Sequence, residues 1–277
     1  TPRRLSLIVS GLAEHSVSFF EERRGPRVGS PSVALEGFAR SVNADVSSLY
    51  TKKEKKGEFY FYRLEHSGYP AQELIKKISL KIAHNFPWQK SMRWGEGGFR
   101  WVRPLRSILC TLFRESQKPE VIEFELNGVF SCNYTFGHRS MFPEKFYPKS
   151  AEDYVSGLRE KKVILDQKDR EKIIWESAEK LLKDCNADIV SDDALLSEVA
   201  GLVEWPVVLM GEIDKEFLTL PREILQVSMR EHQKFFSITN NNSGLIYKFI
   251  VVGNIDAKDN GKSVLNGNSR VLRSRLR

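Results

Sequence analysis

Three stretches of the sequence concentrate side chains able to hold a polyanion. In the first, Arg93-Trp94-Gly95 is followed by Arg100-Trp101-Val102-Arg103-Pro104-Leu105-Arg106, so guanidinium groups alternate with indole rings. Guanidinium forks clamp phosphate oxygens and indoles stack on bases, which is the chemistry of RNA contact. The same pattern also fits a turn and strand whose tryptophans are core and whose arginines meet carboxylates at a domain boundary. Arg103 and Arg106 are the candidate phosphate contacts here. The second stretch is the segment after Pro221. On a helix of about 100° per residue, Glu223, Gln226, Arg230, Gln233 and Lys234 share a polar face, and Leu225, Met229, His232 and Phe236 share the opposite region. Arg230 and Lys234 are thus free to meet phosphate, while His232 is expected at a core edge. In the third stretch, Arg270, Arg273 and Arg277 line one side of a terminal helix beside a Leu272 and Leu276 strip. Arginines with no local carboxylate repel one another, and either a polyanion or distant acidic residues would relieve that. Gly137-His138-Arg139 adds one more candidate, Arg139, at a phosphate site or a capped turn.

These segments must be carried by a framework of strands and helices. Leu5–Val9 reads as a strand, and 21–32, with Gly25-Pro26, Gly29 and Pro31, as an extended loop. A short helix follows, capped by Ser32, and then a solvated charge run over Lys52–Lys56 ahead of an aromatic strand at Phe59–Leu64. Ile75, Ile78, Ile82 and Phe86 recur at helical spacing over 71–86. Residues 121–126 alternate like a strand, and Asn127-Gly128 signals a hairpin. Residues 151–184 read as helical with Ile174, Ala178 and Leu181 on one face, and a further helix is expected over 194–202 after a capping loop at 188–193. Pro206–Glu212 reads as a buried strand and Pro221 as the start of a helix reaching about Phe235. Ser237–Thr239 and Leu245–Ile255 read as a strand pair around a turn over 240–244. Hairpins mixed with helices indicate an α+β fold of mixed or antiparallel sheets.

The 277 residues carry 43 Lys+Arg against 36 Asp+Glu, a net charge of +7, which fits a polyanionic partner without requiring one. Between 256 and 277, six basic residues (Lys258, Lys262, Arg270, Arg273, Arg275, Arg277) face two acidic ones (Asp256, Asp259), so the positive charge gathers there. Apolar runs such as Phe249–Val252 are too short to span a bilayer, and the sequence opens without a secretory leader. Cys110, Cys132 and Cys185 show neither a disulfide framework nor zinc spacing and suit a reducing cytoplasm. The five histidines show no metal-binding spacing, and there is no phosphate-loop or dinucleotide fingerprint. Nothing in the sequence assembles a self-sufficient active site. The chain opens without Met, which implies a start inside a longer protein.

A set of blocks taken in order carries a family resemblance: Thr1-Pro2-Arg3-Arg4-Leu5, Glu36-Gly37-Phe38-Ala39-Arg40, Met92-Arg93-Trp94-Gly95 with Val102-Arg103-Pro104, and Gly137-His138-Arg139. Further blocks are Glu198 to Pro206, Leu220 to Leu225, Ser228-Met229-Arg230-Glu231-His232-Gln233-Lys234-Phe235-Phe236, and Gly267 to Leu272. The sequence resembles the amino-terminal half of the β subunit of the bacterial-type heterotetrameric glycyl-tRNA synthetase. It departs from the family pattern at Ser107 and at Ser140-Met141, where aromatics are usual.

The resemblance implies part of a class II glycine–tRNA ligase of α2β2 composition in the cytoplasm. In such a complex the α subunit holds glycine, ATP and Mg2+, and the β subunit binds tRNA(Gly); no cofactor is expected on this chain. It also implies an α+β domain similar to the B3/B4 domain of the phenylalanyl-tRNA synthetase β subunit. The expected organisation is an amino-terminal segment over 1–70 lacking the family's first strand, a main domain over 71–265, and a basic helix starting over 266–277. That helix would lead to an HD-type domain. Two other functions stay open: a scaffold domain without RNA contact, and an editing-type hydrolase by fold analogy.

Overall fold

The computed structural model describes all residues except 67, 95–96, 116, 184, 186 and 241–245, and gives no side-chain placement for Asn240. The expected turn at 240–244, apart from Asn240, and Gly95 of the Arg93-Trp94-Gly95 stretch therefore lie outside the described residues. The rest falls into two compact units, one of residues 9–105 and 122–129, the other of 1–8, 106–121 and 130–277.

The unit holding 9–105 is built on an antiparallel sheet of β1 (Phe19–Arg27), β2 (Tyr50–Glu54) and β3 (Gly57–His66), with β3 central. The expected loop after Glu21 is mostly strand, because Phe19 to Arg24 pair continuously with His66 to Phe61. The expected charge run is also strand: Lys52 pairs with Phe59, so its charged side chains decorate an edge. Helix α1 (Ser32–Ser41) starts as expected, but Pro31 holds the cap position and Ser32 caps nothing. Helix α2 (Ala71–His84) carries the expected apolar stripe, with Ile78 and Ile82 half-exposed. It leads to two-residue strands β4 (Met92–Arg93) and β5 (Arg100–Trp101), which pair antiparallel.

The other unit begins with short pairings. Strands β6 (Ile108–Leu109), β7 (Thr111–Leu112) and β8 (Glu120–Val121) precede β9 (Glu125–Leu126), which belongs to the first unit, and β10 (Val129–Cys132). The expected 121–126 strand is thus broken, while Asn127 (φ 51°) and Gly128 (φ 80°) make the expected tight turn. Next come β11 (Thr135–Phe136), paired with β12 (Lys145–Phe146). The expected helical stretch is two helices, α3 (Ala151–Glu160) and α4 (Gln167–Leu182). Lys162 turns left-handed between them (φ 59°), and the Asp166 carboxylate accepts from the N–H groups of Lys168 and Asp169 to start α4. Ile174, Ala178 and Leu182 are buried and Leu181 is exposed, which is the i, i+4, i+8 stripe.

The core of this unit is an antiparallel sheet in the order β13 (Ala187–Ile189), β15 (Phe236–Asn240), β16 (Ile246–Gly253), β14 (Val207–Glu212). Helix α5 (Asp193–Leu202) sits before β14, its first turn capped by Asp192. Both faces of the sheet are covered. On one, Ile174, Ala178 and Leu182 of α4 and Val199 and Ala200 of α5 pack on Phe236, Ile238 and Ile250. On the other, Leu225, Met229 and Leu272 pack on Phe235, Phe249 and Val251. Apolar neighbours Phe249 and Ile250 point to opposite faces and are both wholly buried, which is why this strand is a continuous apolar run. Each such side chain contributes about 1.5–3 kcal/mol. Leu5–Val9 forms no strand: Leu7 is 84% exposed, and the segment has no backbone hydrogen bond among the described residues. An extended segment without a neighbour to take its N–H and C=O groups stays irregular.

Candidate nucleic-acid interface

Five of the basic residues singled out in the larger unit, Arg230, Lys234, Arg270, Arg273 and Arg277, sit on the layer made by α6 (Arg222–Val227), a π-helical turn over Ser228–Gln233, and α7 (Lys262–Leu276). Pro221 holds the cap position one residue ahead of α6 (φ −53°, ψ 138°), so the expected first-turn proline lies just outside the helix. A regular α-helix from Leu225 through Met229 would carry His232 and Phe236 on the same face. Instead the chain widens into i→i+5 spacing, Lys234 turns left-handed (φ 57°), and the Phe235 N–H donates to the Met229 carbonyl at 3.1 Å. That rearrangement lets both Phe235 and Phe236 be buried and turns His232 out to solvent. His232 is therefore not at a core edge, because the wheel of a regular helix does not apply across the π turn. It lines an open groove of about 580 Å³ with Glu223, Ile224, Val227, Ser228 and Arg275.

Four of the cations singled out are held by carboxylates. Arg230 Nε lies 2.5 Å from Asp192 Oδ2, and its Nη1 donates to Glu231. Lys234 Nζ lies 2.9 Å from Glu198, Arg273 Nε 2.5 Å from Asp214, and Arg277 Nη2 3.4 Å from Glu216. The Arg230 guanidinium, more than its own capping bonds, holds Asp192 below the usual carboxylate range, and Arg273 does the same to Asp214. Arg270 is exposed and meets no carboxylate among the described residues, and the same holds for Arg275. Arg139 is exposed in a turn, and Arg106 is exposed ahead of β6. Arg103, of the other unit, is exposed at a bend. The structure therefore gathers Arg230, Lys234, Arg270, Arg273 and Arg277 onto one helical layer, and leaves Arg139 and Arg106 on separate loops.

Sequence reasoning did not find the buried ionic centre of this unit. Glu204 is wholly buried, and its carboxylate accepts from Arg4 Nε at 2.7 Å and from the Thr1 hydroxyl at 2.8 Å. Arg4 also donates to the carbonyls of Phe136 (3.0 Å) and Gly137 (3.4 Å). The Glu204 and Trp205 N–H groups donate to Asn254 Oδ1 at 2.7 and 3.0 Å. A Cβ on Gly137 would lie 2.7 Å from the Phe142 carbonyl oxygen, so this approach needs glycine. Next to it His138 is 3% exposed and accepts from the Ser140 N–H at Nδ1 (3.4 Å), so Gly-His-Arg is a packed turn with only Arg139 outside. Arg170, 1% exposed, donates to the carbonyls of Ala200, Ile164, Leu165 and Asp166. Its burial lowers its pKa, opposed by the charges of Asp166, Glu204 and Glu171. The signal available was a glutamate inside the apolar run Val203-Glu204-Trp205-Pro206, where an acid must find a cation.

Comparison with known proteins decides what family this geometry serves. All of residues 1–277 match the family described as glycyl-tRNA synthetase beta subunit. The chain belongs to the glycyl-tRNA synthetase β-subunit family. It is 50% identical over 276 residues to the glycine–tRNA ligase beta subunit of Ruegeria sp. (strain TM1040), covering 100% of this chain and 40% of that protein. The same-named proteins of Cereibacter sphaeroides (strain ATCC 17023) and Paracoccus denitrificans (strain Pd 1222) are 49% and 47% identical, again over 100% of this chain and 40% of theirs. The chain thus spans about 40% of the length of the curated relatives it matches.

Proposed function

We propose that this chain is the RNA-handling and assembly part of a glycine–tRNA ligase β subunit, working in the cytoplasm. Its partner α subunit, in an α2β2 complex, would bind ATP and Mg2+ and form the aminoacyl bond on tRNA(Gly). The observation that carries the RNA role is that Arg270 and Arg275 of α7, about 140° apart around the helix, lie exposed and meet no carboxylate among the described residues, in a family named for tRNA charging. Unanswered cations on a helix displace counterions when they meet phosphates. The test is tRNA(Gly) binding by the complete ligase across a salt series. Changing Arg270 and Arg275 together to Ala should weaken binding and flatten its salt dependence by about 1 unit per lost phosphate contact. Equal affinity and slope in both proteins would refute this contact.

A second reading, a scaffold that positions other parts of the ligase, is favoured by one observation. Arg230, Lys234, Arg273 and Arg277 already serve the fold by tying the helical layer to Asp192, Glu198, Asp214 and Glu216. It predicts intact tRNA affinity in the Arg270 and Arg275 variant and reduced charging only where stability falls.

A further inference from the structure

The β4–β5 hairpin presents an electrostatic arrangement that nothing among the described residues of its own unit relieves. Its two cross-strand pairs are Met92 with Trp101 and Arg93 with Arg100. Residues directly opposite in an antiparallel pair project from the same face, and like charges there are destabilising. Arg93 and Arg100 are exposed, and neither meets a carboxylate among the described residues; the only described polar contact of either is Arg100 Nε to Ser91 Oγ at 3.2 Å. Lys90 and Arg103 flank the pair, exposed and likewise without a carboxylate. From 90 to 103 the sequence contains four cations and a single acid, Glu96.

The opposite face explains why so short a hairpin is held in this register. Trp101 lies 4.9 Å from Trp88 edge-on, stacks on Phe99 at 5.9 Å and meets Phe86 at 5.5 Å. Trp94 meets Phe99 edge-on at 5.7 Å, and Phe99 meets His84 at the end of α2. All five of these large rings are partly buried, so they form a small aromatic core, and aromatic pairs of this geometry favour one arrangement. The rings thus serve as a rigid base and not as stacking platforms for nucleotides. What the base holds outward is a directly opposed cross-strand pair of arginines.

We propose that Arg93 and Arg100 form a clamp for an RNA phosphodiester, with Lys90 and Arg103 extending the positive edge. An anion shared by the two guanidinium forks turns the like-charge repulsion into two charge-assisted contacts. The bidentate shape of each fork suits tetrahedral phosphate oxygens, and a backbone phosphate asks for no base-specific partner. This rests on the reading of the chain as part of a tRNA-binding subunit.

The experiment is tRNA(Gly) binding by the complete ligase, wild type against Arg93→Ala/Arg100→Ala and Arg93→Lys/Arg100→Lys, over a salt series. The Ala pair should bind about tenfold more weakly near 0.1 M salt and lose about 1–2 units of the salt slope, with the Lys pair in between. Thermal melting of the Ala pair should show an unchanged or raised midpoint, because a repulsion has been removed; a lowered midpoint would overturn the idea that the pair is strained. If wild type binds tRNA with a steep salt slope and the Ala pair matches it, the clamp is refuted while the tRNA-binding role stands. If wild type binds no tRNA, that role and the clamp both fail. Inorganic phosphate raising the midpoint of wild type but not of the Ala pair, with tRNA binding equal, would assign the site to a free phosphate and overturn the RNA assignment. Loss of α-subunit association with tRNA affinity retained would overturn it in favour of an acidic protein surface.

Discussion

Around the π-helical turn and α7, Arg230, Lys234, Arg273 and Arg277 each lie against a carboxylate brought from elsewhere in the fold; in the β4–β5 hairpin Arg93 and Arg100 are directly opposite each other in the strand pair. Both regions are basic, exposed and rich in arginine. The carboxylates answering Arg230 and Arg273 come from 38 and 59 residues away, beyond the reach of any spacing argument. A cation is available to a polyanion only when the fold has not already answered it. The comparison therefore moves the centre of the RNA reading away from Arg230 and Arg273 and toward Arg93, Arg100, Arg270 and Arg275.

The first way to sharpen this is at the fully buried extreme of an answered charge. Glu204→Ala leaves Arg4 with no carboxylate in a site where Glu204 is wholly buried, and should cost about 3–5 kcal/mol in chemical denaturation. A loss below about 1 kcal/mol would mean that water reaches the pair and that burial does not set its strength. Next is Met229→Ala, beneath the π turn, where the side chain is wholly buried; the expected loss is about 2–5 kcal/mol, with the Arg230 to Asp192 contact weakened alongside. A Met229→Ala protein of unchanged stability would show that the turn is not anchored from below.

Smaller effects test the surface pairs themselves. Arg230→Ala should change stability only slightly, the smallest effect of the series in chemical denaturation, since both partners are partly solvated. The pH dependence has a definite sign. Asp192 and Asp214 have folded pKa values below their ordinary 3.8, so their contribution is present above about that pH and is lost as pH falls through the lower folded value. Asp192→Asn/Asp214→Asn should therefore flatten the acid limb of a melting-temperature profile below that pH. An unchanged acid limb would show these arginines to be unanswered in solution, which would erase the contrast with the hairpin.

How much of this was legible in the sequence varies with the range of the interaction. Leu245–Ile255 announced a strand, and Pro221 announced the start of α6, because both signals are local. The π turn was not legible: nothing in Ser228–Gln233 distinguishes it from an α-helix, and it forms because Phe235 and Phe236 both need burial. The break between α3 and α4 turns on Lys162 in a left-handed conformation that the residue type does not advertise. In the candidate site, the alternation of arginine and tryptophan near Arg93 was visible. The opposition of Arg93 to Arg100 was not, because register belongs to a strand pair and not to a strand.

The most direct test of the contrast is the salt dependence of tRNA(Gly) binding by the complete ligase carrying either Arg93→Ala/Arg100→Ala or Arg230→Ala/Arg273→Ala. The account predicts a slope flattened by about 1–2 units for the hairpin pair and unchanged for the carboxylate-held pair. A slope flattened by the second pair and untouched by the first would contradict it.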